Sequence, residues 1–194
     1  FYHHPSGVKV GHVEAGLRSY DLAHPYPEEM NRRFTDIVAT LHFAPTQRSR
    51  DNLVREGVSP HHVFVTGNTV VDALHLALPQ LSDEPLPGIP ADLFQHRVIL
   101  LTSRRRENHG DPLVHICAAV RDIVDQHPDV HCVYPVHLNP EVQRTVRRVL
   151  DGVARVHLIP PLDYWSFLRV MAKSTVILTD SGGVQEEAPS LGKP

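Results

Sequence analysis

Three short stretches hold residues whose types and spacing could do chemistry. The first, GHVEAGLRSYDLAHPYPEEMNRR, runs from Gly11 to Arg33 and contains Glu14 and Glu28. Two carboxylates brought to one cleft can take a proton from carbon and return it. A plainer reading pairs Glu14 with Arg18 and Glu28 with Arg32 one helical turn on, with Glu28 also favouring a helix N-terminus. Spacing alone leaves both open. The second stretch is VILLTSRRRENHG, Val98 to Gly110, where Arg104, Arg105 and Arg106 follow an apolar run. Side chains alternate in direction along an extended segment, so one or two of these arginines reach a cleft while another pairs with an acid such as Glu107. The arginine fork matches a phosphate, whereas a solvated strand edge would need no ligand at all. The third is VILTDSGGVQEEAPS, Val176 to Ser190. Its glycines allow close backbone approach, and a helix beginning there offers free N–H groups to a phosphate. Glu186 and Glu187 fall in that helix's first turn, where a carboxylate could accept ribose hydroxyls; an ordinary structural turn is the alternative.

Placing these residues requires elements that end where they stand. Short apolar runs (VKVGHV, LHFA, HVFVTG, RVILLTS, VHCVYPV, ARVHLI and TVILTD) read as strands. Between them lie helical segments. PEEMNRRFTDIVATL puts Met30, Phe34, Ile37, Val38 and Leu41 on one face, with Pro27 opening the helix and Glu28 and Glu29 in its first turn. Thr46 can cap the next helix, Pro112–His127 and Pro140–Leu150 follow, and FLRVMAK precedes the last strand. This alternation predicts an α/β fold with parallel strands and crossover helices. Ligands then bind beyond the carboxyl ends of the strands, where all three stretches fall. The proline-rich SDEPLPGIPADLF lacks sustained periodicity and reads as a link between two α/β units. The expected division is 1–82, a linker at 83–95, and 96–194, each unit short for a complete doubly wound domain.

Bulk properties exclude several classes. The 194 residues are 41% hydrophobic and 21% charged with a net charge of −3, which suits a soluble globular protein and argues against a nucleic-acid partner. No aromatic residues interleave the arginine run as single-strand binding would need. No apolar run approaches the roughly 20 residues needed to span a bilayer. Cys117 and Cys132 are too few and too far apart for a zinc cluster, and are expected to be reduced and buried in a cytoplasmic protein. The 15 histidines are scattered without ligand spacing, so no metal is expected.

Taken together, GHVEAGLRS, PYPEEMNRR, VTGNTVVDAL, RRENHG, VYPVHLNP, PPLDYWSFL and ILTDSGGVQEEAPSLGKP resemble the non-hydrolysing UDP-N-acetylglucosamine 2-epimerases of bacteria, in the family's order and across nearly the whole chain. The resemblance implies two Rossmann-like domains in the GT-B arrangement, both incomplete here, with a UDP-sugar bound between them. It implies an isomerase that converts UDP-N-acetylglucosamine to UDP-N-acetylmannosamine by eliminating and re-adding UDP, for surface polysaccharide synthesis. By the same resemblance Glu14 and Glu28 are the acid/base carboxylates, Ser181, Gly182 and Gly183 hold phosphate, and Arg105 contributes to UDP-sugar binding. Glu187 holds ribose and Phe167 lies near uracil. No metal or cofactor is implied, and a cytoplasmic homodimer is. Two departures stand out: Arg104 occupies a position usually filled by histidine, and family members are about twice as long, so the chain reads as part of something longer. A truncated UDP-sugar-binding module without turnover is the leading alternative; a GT-B glycosyltransferase ranks behind it.

Overall fold

The computed structural model describes residues 7–82, 84–105, 108 and 110–194. It divides into two compact units, Phe1–Asp72 and Ala73–Pro194. In the first, β1 (Gly11–Val13), β2 (Leu41–Ala44) and β3 (Val63–Val65) form a parallel sheet in the order β1-β2-β3. Two helices make the crossovers, α1 (Glu28–Val38) and α2 (Gln47–Arg55). Thr46 caps α2 as expected, its hydroxyl accepting from Ser49 N at 3.1 Å. A third helix, α3 (Thr69–Ala77), begins in this unit and ends in the second.

α1 does not pack as its pattern predicts. Leu41, the fifth apolar position expected on its face, lies beyond the helix and opens β2; of the four apolar residues that α1 holds, Phe34 and Ile37 are 59% and 69% exposed, while the buried residues are Glu29 and Asp36. Buried carboxylates are tolerated only when donors satisfy them, and both have such donors. The inward face of α1 is therefore polar, and the unit's small apolar core (Ala15, Ala44, Leu53 and Val63) lies elsewhere.

The second unit holds β4 (Arg97–Thr102), α4 (Asp111–Gln126), β5 (Val130–Pro135), α5 (Pro140–Leu150), β6 (Val156–Ile159), α6 (Tyr164–Lys173), β7 (Val176–Thr179) and α7 (Gly182–Ser190). Its strands are parallel in the order β6-β5-β4-β7, the order third-second-first-fourth in which a Rossmann sheet is laid down. Both faces are covered, which is why β4 reads as an unbroken apolar run. Ile99 and Leu101 pack with Cys117, Val120 and Val146 beneath α4 and α5; Val98 and Leu100 pack with Leu168, Met171 and Val184 on the other side. Cys117 and Cys132 are free and buried, and burial pushes their thiols up to about 11 and about 12, leaving them poor nucleophiles.

The stretch expected to link the units lies after the division, within the second unit. Its Leu86, Ile89 and Leu93 are buried in that unit's core, and the Arg169 guanidinium donates to Ser82 O at 2.7 Å and to the Glu84 carbonyl. Leu86 and Ile89 are buried singly among Pro85, Pro87, Gly88 and Pro90, and Leu93 comes four residues later, so neither a helical nor a strand period reveals them.

At the amino ends of β4–β6, on the face that carries Val133, three histidines form a row. His131 Nδ1 lies 3.1 Å from His157 Nε2 with ring planes 3° apart and centroids separated by 5.5 Å. The difference between the two distances equals the two ring radii, so the imidazoles lie edge to edge in one plane, joined by an N–H···N bond. His96 stacks on His131 with centroids 4.5 Å apart.

Candidate active site

β1 ends at Val13, and Glu14 follows with φ 66°, a left-handed conformation sparsely populated outside glycine. Gly16 turns the chain at φ 84°, and a Cβ there would lie 2.2 Å from the Ser49 carbonyl oxygen, so the loop touches α2 where only glycine fits. An ionic network backs this loop, buried at the Arg18 and Asp36 side chains and open to solvent at Glu56. The Arg18 guanidinium donates to Glu56 at 2.9 and 2.6 Å and to Asp36 at 2.6 Å, and His12 Nδ1 lies 2.5 Å from the other Asp36 oxygen. Burial pushes the Asp36 carboxyl upward, but His12 and Arg18 outweigh it and hold it below its ordinary value.

Glu28 is the first residue of α1, at the positive end of the helix. Its neighbour Glu29 is fully buried and accepts from Ser19 N at 3.0 Å, Tyr20 N at 3.2 Å and Arg33 Nε at 3.2 Å. Burial raises the Glu29 carboxyl, and these three donors more than reverse the effect. The simple pairings Glu14–Arg18 and Glu28–Arg32 therefore do not form: Arg18 is taken by Glu56 and Asp36, and the ion pair on α1 is Glu29–Arg33. Both Glu14 and Glu28 are exposed, and among the described residues neither side chain has a hydrogen-bond or ionic partner.

In the second unit the chain lays β5 and β6 to one side of β4, then returns to place β7 on the other. That reversal opens a crevice at the carboxyl ends of β4 and β7, where open α/β sheets bind ligands. A cleft of about 310 Å³ lies there, lined by Thr102, Arg104, Leu162, Tyr164, Phe167, Ser181, Gly183, Val184 and Glu187. Ser181 caps α7 with no side-chain bond, so its hydroxyl and the first N–H groups of the helix, which lack intrahelical partners, stand at the cleft. Arg105 lies alongside: its Nε donates to the Asp180 carbonyl at 2.7 Å, and a Cβ on Gly182 would be 3.9 Å from its Nη2. Glu187 is buried, which raises its carboxyl.

Asp180 binds the two strand ends together. Its carboxylate accepts from Arg104 N at 2.9 and 3.0 Å, Arg105 N at 3.0 Å, Asn108 Nδ2 at 2.7 Å and Ser103 Oγ at 3.2 Å. Burial raises its carboxyl, but these donors reverse the shift and hold it below the ordinary aspartate value. Below it, Thr102 and Thr179 are register partners with hydroxyls 2.6 Å apart, and Thr179 Oγ1 accepts from Ser181 N at 3.0 Å.

The structure thus gathers Arg104, Phe167, Ser181, Gly183 and Glu187 on one cleft, with Arg105 and Gly182 beside it. Glu14 and Glu28 stand at strand and helix ends of the other unit. Arg106 and Glu107 lie outside the described residues. Asp180, Tyr164 and Thr102 were not singled out from sequence. The signal for Asp180 was present, an acid at the last position of an apolar strand and directly before the glycine turn; Thr102 shows itself only through strand register. Among the described residues there is no cluster of three or more His, Cys, Asp or Glu able to hold a metal, and no helix long and apolar enough to cross a membrane.

The sequence profile described as UDP-N-acetylglucosamine 2-epimerase matches residues 4–194. A Ralstonia solanacearum protein bearing that enzyme's name is 52% identical over 193 residues, covering 96% of this chain and 52% of its own length. Among solved structures, the S. aureus MnaA–UDP co-structure superposes with a TM-score of 0.90 at 45% identity, covering 98% of this chain and 51% of that one. The Neisseria meningitidis UDP-GlcNAc 2-epimerase bound to UDP-GlcNAc gives 0.89 at 44% identity, covering 98% and 53%. The chain spans about half the length of the curated relatives it matches. Match and architecture agree along nearly all of its residues: the chain belongs to the UDP-N-acetylglucosamine 2-epimerase family.

Proposed function

We propose that this chain carries the UDP-binding and proton-transferring parts of an enzyme that interconverts UDP-N-acetylglucosamine and UDP-N-acetylmannosamine. The observation that carries this reading is the convergence of Arg104, the Ser181–Gly183 turn, Phe167 and Glu187 on one cleft at the switch point of the second sheet. Each part suits a piece of UDP. The helix N-terminus and Arg104, with Arg105 alongside, suit the pyrophosphate; the buried Glu187 suits ribose hydroxyls; and the half-buried Phe167 suits the uracil ring.

The C2 proton of the sugar has no adjacent carbonyl, so direct removal is slow. Elimination avoids this. A carboxylate takes the C2 proton as the C1–oxygen bond breaks and UDP departs with the electron pair, leaving 2-acetamidoglucal. A proton then returns to C2 from the opposite face, and UDP re-forms the bond at C1. Glu14 and Glu28 are the carboxylates in this scheme, and the phosphate-binding groups stabilise the departing UDP. Neither carboxylate is tied up by another side chain, as proton transfer requires. We extend the proposal to a homodimer acting in the cytoplasm and supplying N-acetylmannosamine for surface polysaccharide, with no nucleic-acid or membrane partner.

Arg104 favours a second reading, a UDP-sugar-binding chain without turnover. Arginine keeps positive charge near the phosphates but cannot exchange a proton at neutral pH. Incubation with UDP-N-acetylglucosamine in deuterated buffer, followed by NMR at C2, separates the two. Deuterium at C2 together with UDP-N-acetylmannosamine supports turnover; UDP-induced protein shifts without exchange support binding alone. Arg104→His is expected to raise the exchange rate if this position transfers a proton, and an unchanged or lower rate sinks that role.

A further inference from the structure

Asp180 touches neither phosphate nor sugar in the scheme above, yet its charge stands at the entrance of the helix that takes the phosphates. An unscreened carboxylate there would oppose an anionic ligand. It is not unscreened: its oxygens face the turn after β4, receiving the Arg104 and Arg105 N–H groups, the Asn108 amide and the Ser103 hydroxyl. Arg105 closes the loop from its own side by donating Nε to the Asp180 carbonyl. Residues 103–105 belong to no helix or strand, so no ladder of backbone bonds fixes their path. Asp180 supplies the missing constraint. From these contacts we infer that Asp180 is the positioning residue that fixes the arginine turn against the start of α7, setting where Arg104 and Arg105 meet the phosphates. The inference rests on the UDP reading of this cleft.

Asp180→Asn tests it with little change of shape. All four donors reach the same Asp180 oxygen, and Arg104 N alone also reaches the other at 2.9 Å. The amide keeps one acceptor oxygen, removes the charge that strengthens every bond, and turns an NH2 group against Arg104 N or against the shared donors. UDP affinity of this chain is measured by calorimetry for the parent, Asp180→Asn, Arg104→Ala and the double variant. Each single change is expected to weaken UDP by about tenfold, the scale of a hydrogen bond to a charged group. The double variant should lose less than the product of the two, because Asp180 acts through the arginine turn. Parent-like affinity in Asp180→Asn, or losses that multiply, overturns the inference. Should Asp180→Asn fail to fold by circular dichroism, Asn108→Ala takes its place in the cycle. It deletes one donor and leaves the carboxylate, with an expected loss of about threefold and the same coupling to Arg104. A parent chain that binds no UDP defeats the nucleotide reading instead. The clasp is then judged by the Arg104 and Arg105 amide proton shifts, which should lie downfield in the parent and move upfield in Asp180→Asn; unmoved shifts overturn it.

Discussion

Glu28 and Glu29 are adjacent in the sequence and opposite in circumstance. Glu28 is exposed at the head of α1 with no side-chain partner among the described residues; Glu29 is fully buried and holds Ser19 N, Tyr20 N and Arg33. Their glutamine variants should therefore fail differently. Glu28→Gln is expected to abolish deuterium exchange at C2 while leaving the melting temperature and UDP affinity near the parent's. Glu29→Gln should cost about 1–3 kcal/mol of stability, because an amide cannot accept from all three donors. Thermal melts beside exchange assays check this, and a stability loss in Glu28→Gln with none in Glu29→Gln would reverse the assignment. The motif places both acids at one helix start, so residue order alone cannot say which is exposed; the three donors to Glu29 come together only once the loop from Gly16 to Pro27 folds back on α1. The clasp at Asp180 was hidden for a similar reason, since its donors stand more than seventy positions earlier. By contrast Ser181, Gly183 and Arg104 were legible, because each follows an apolar run closely enough that the end of a strand or the first turn of a helix fixes its place. Glu186 and Glu187, expected in the first turn of α7, lie one turn further on, since the helix already starts at Gly182.

Every strand of the second unit falls within a stretch whose apolar run marks it, since strands covered on both faces leave no alternation to misread. α1 shows the limit of pattern reading, because its fully buried residues are the ionic Glu29 and Asp36, while Phe34 and Ile37 face out and Met30 and Val38 are only half-buried. The row of histidines at the amino ends of β4–β6 is likewise invisible to periodicity. It has a consequence for pH. His131 and His157 both fall below the ordinary value of 6.5, first because burial disfavours the charged form. For His131, the neighbouring His96, His157 and Arg155 act in the same direction and Asp92 against it; for His157 the opposing charge is again Asp92. A base whose folded pKa is depressed stays neutral while the unfolded chain takes up protons, so stability is complete above about 6.5 and declines as pH falls below it. Melting temperature should drop between about pH 7 and about pH 5.5, before the carboxylates of Asp36, Glu29 and Asp180, all held below their ordinary values, begin to protonate. His157→Asn should flatten that decline. An equal slope in parent and variant would remove the pair from the effect.

At the scale of the whole molecule, parallel strands, crossover helices and two units were all legible in the alternation of apolar runs and amphipathic segments. The extent of the second unit was not, because Pro85, Pro87, Gly88 and Pro90 carry the composition of a tether while Leu86, Ile89 and Leu93 enter a core. A polypeptide starting at His96 would give up those three side chains along with Leu74 and Ala77, at about 1.5–3 kcal/mol for each large one. That sum rivals the whole stability of an ordinary domain. Residues 69–194 should therefore melt cooperatively where 96–194 exposes apolar surface and does not; a cooperative melt of the shorter piece with the same midpoint would show the stretch to be dispensable. Packed in this way, the proline-rich segment also changes how the protein meets a protease. Its sequence advertises a cleavable strand of open chain, and much of its surface is exposed, but Leu86, Ile89 and Leu93 pin it to the core. A protease that must draw the chain out extended has to wait for those three anchors to release, so cutting there becomes a clock for the opening of that unit.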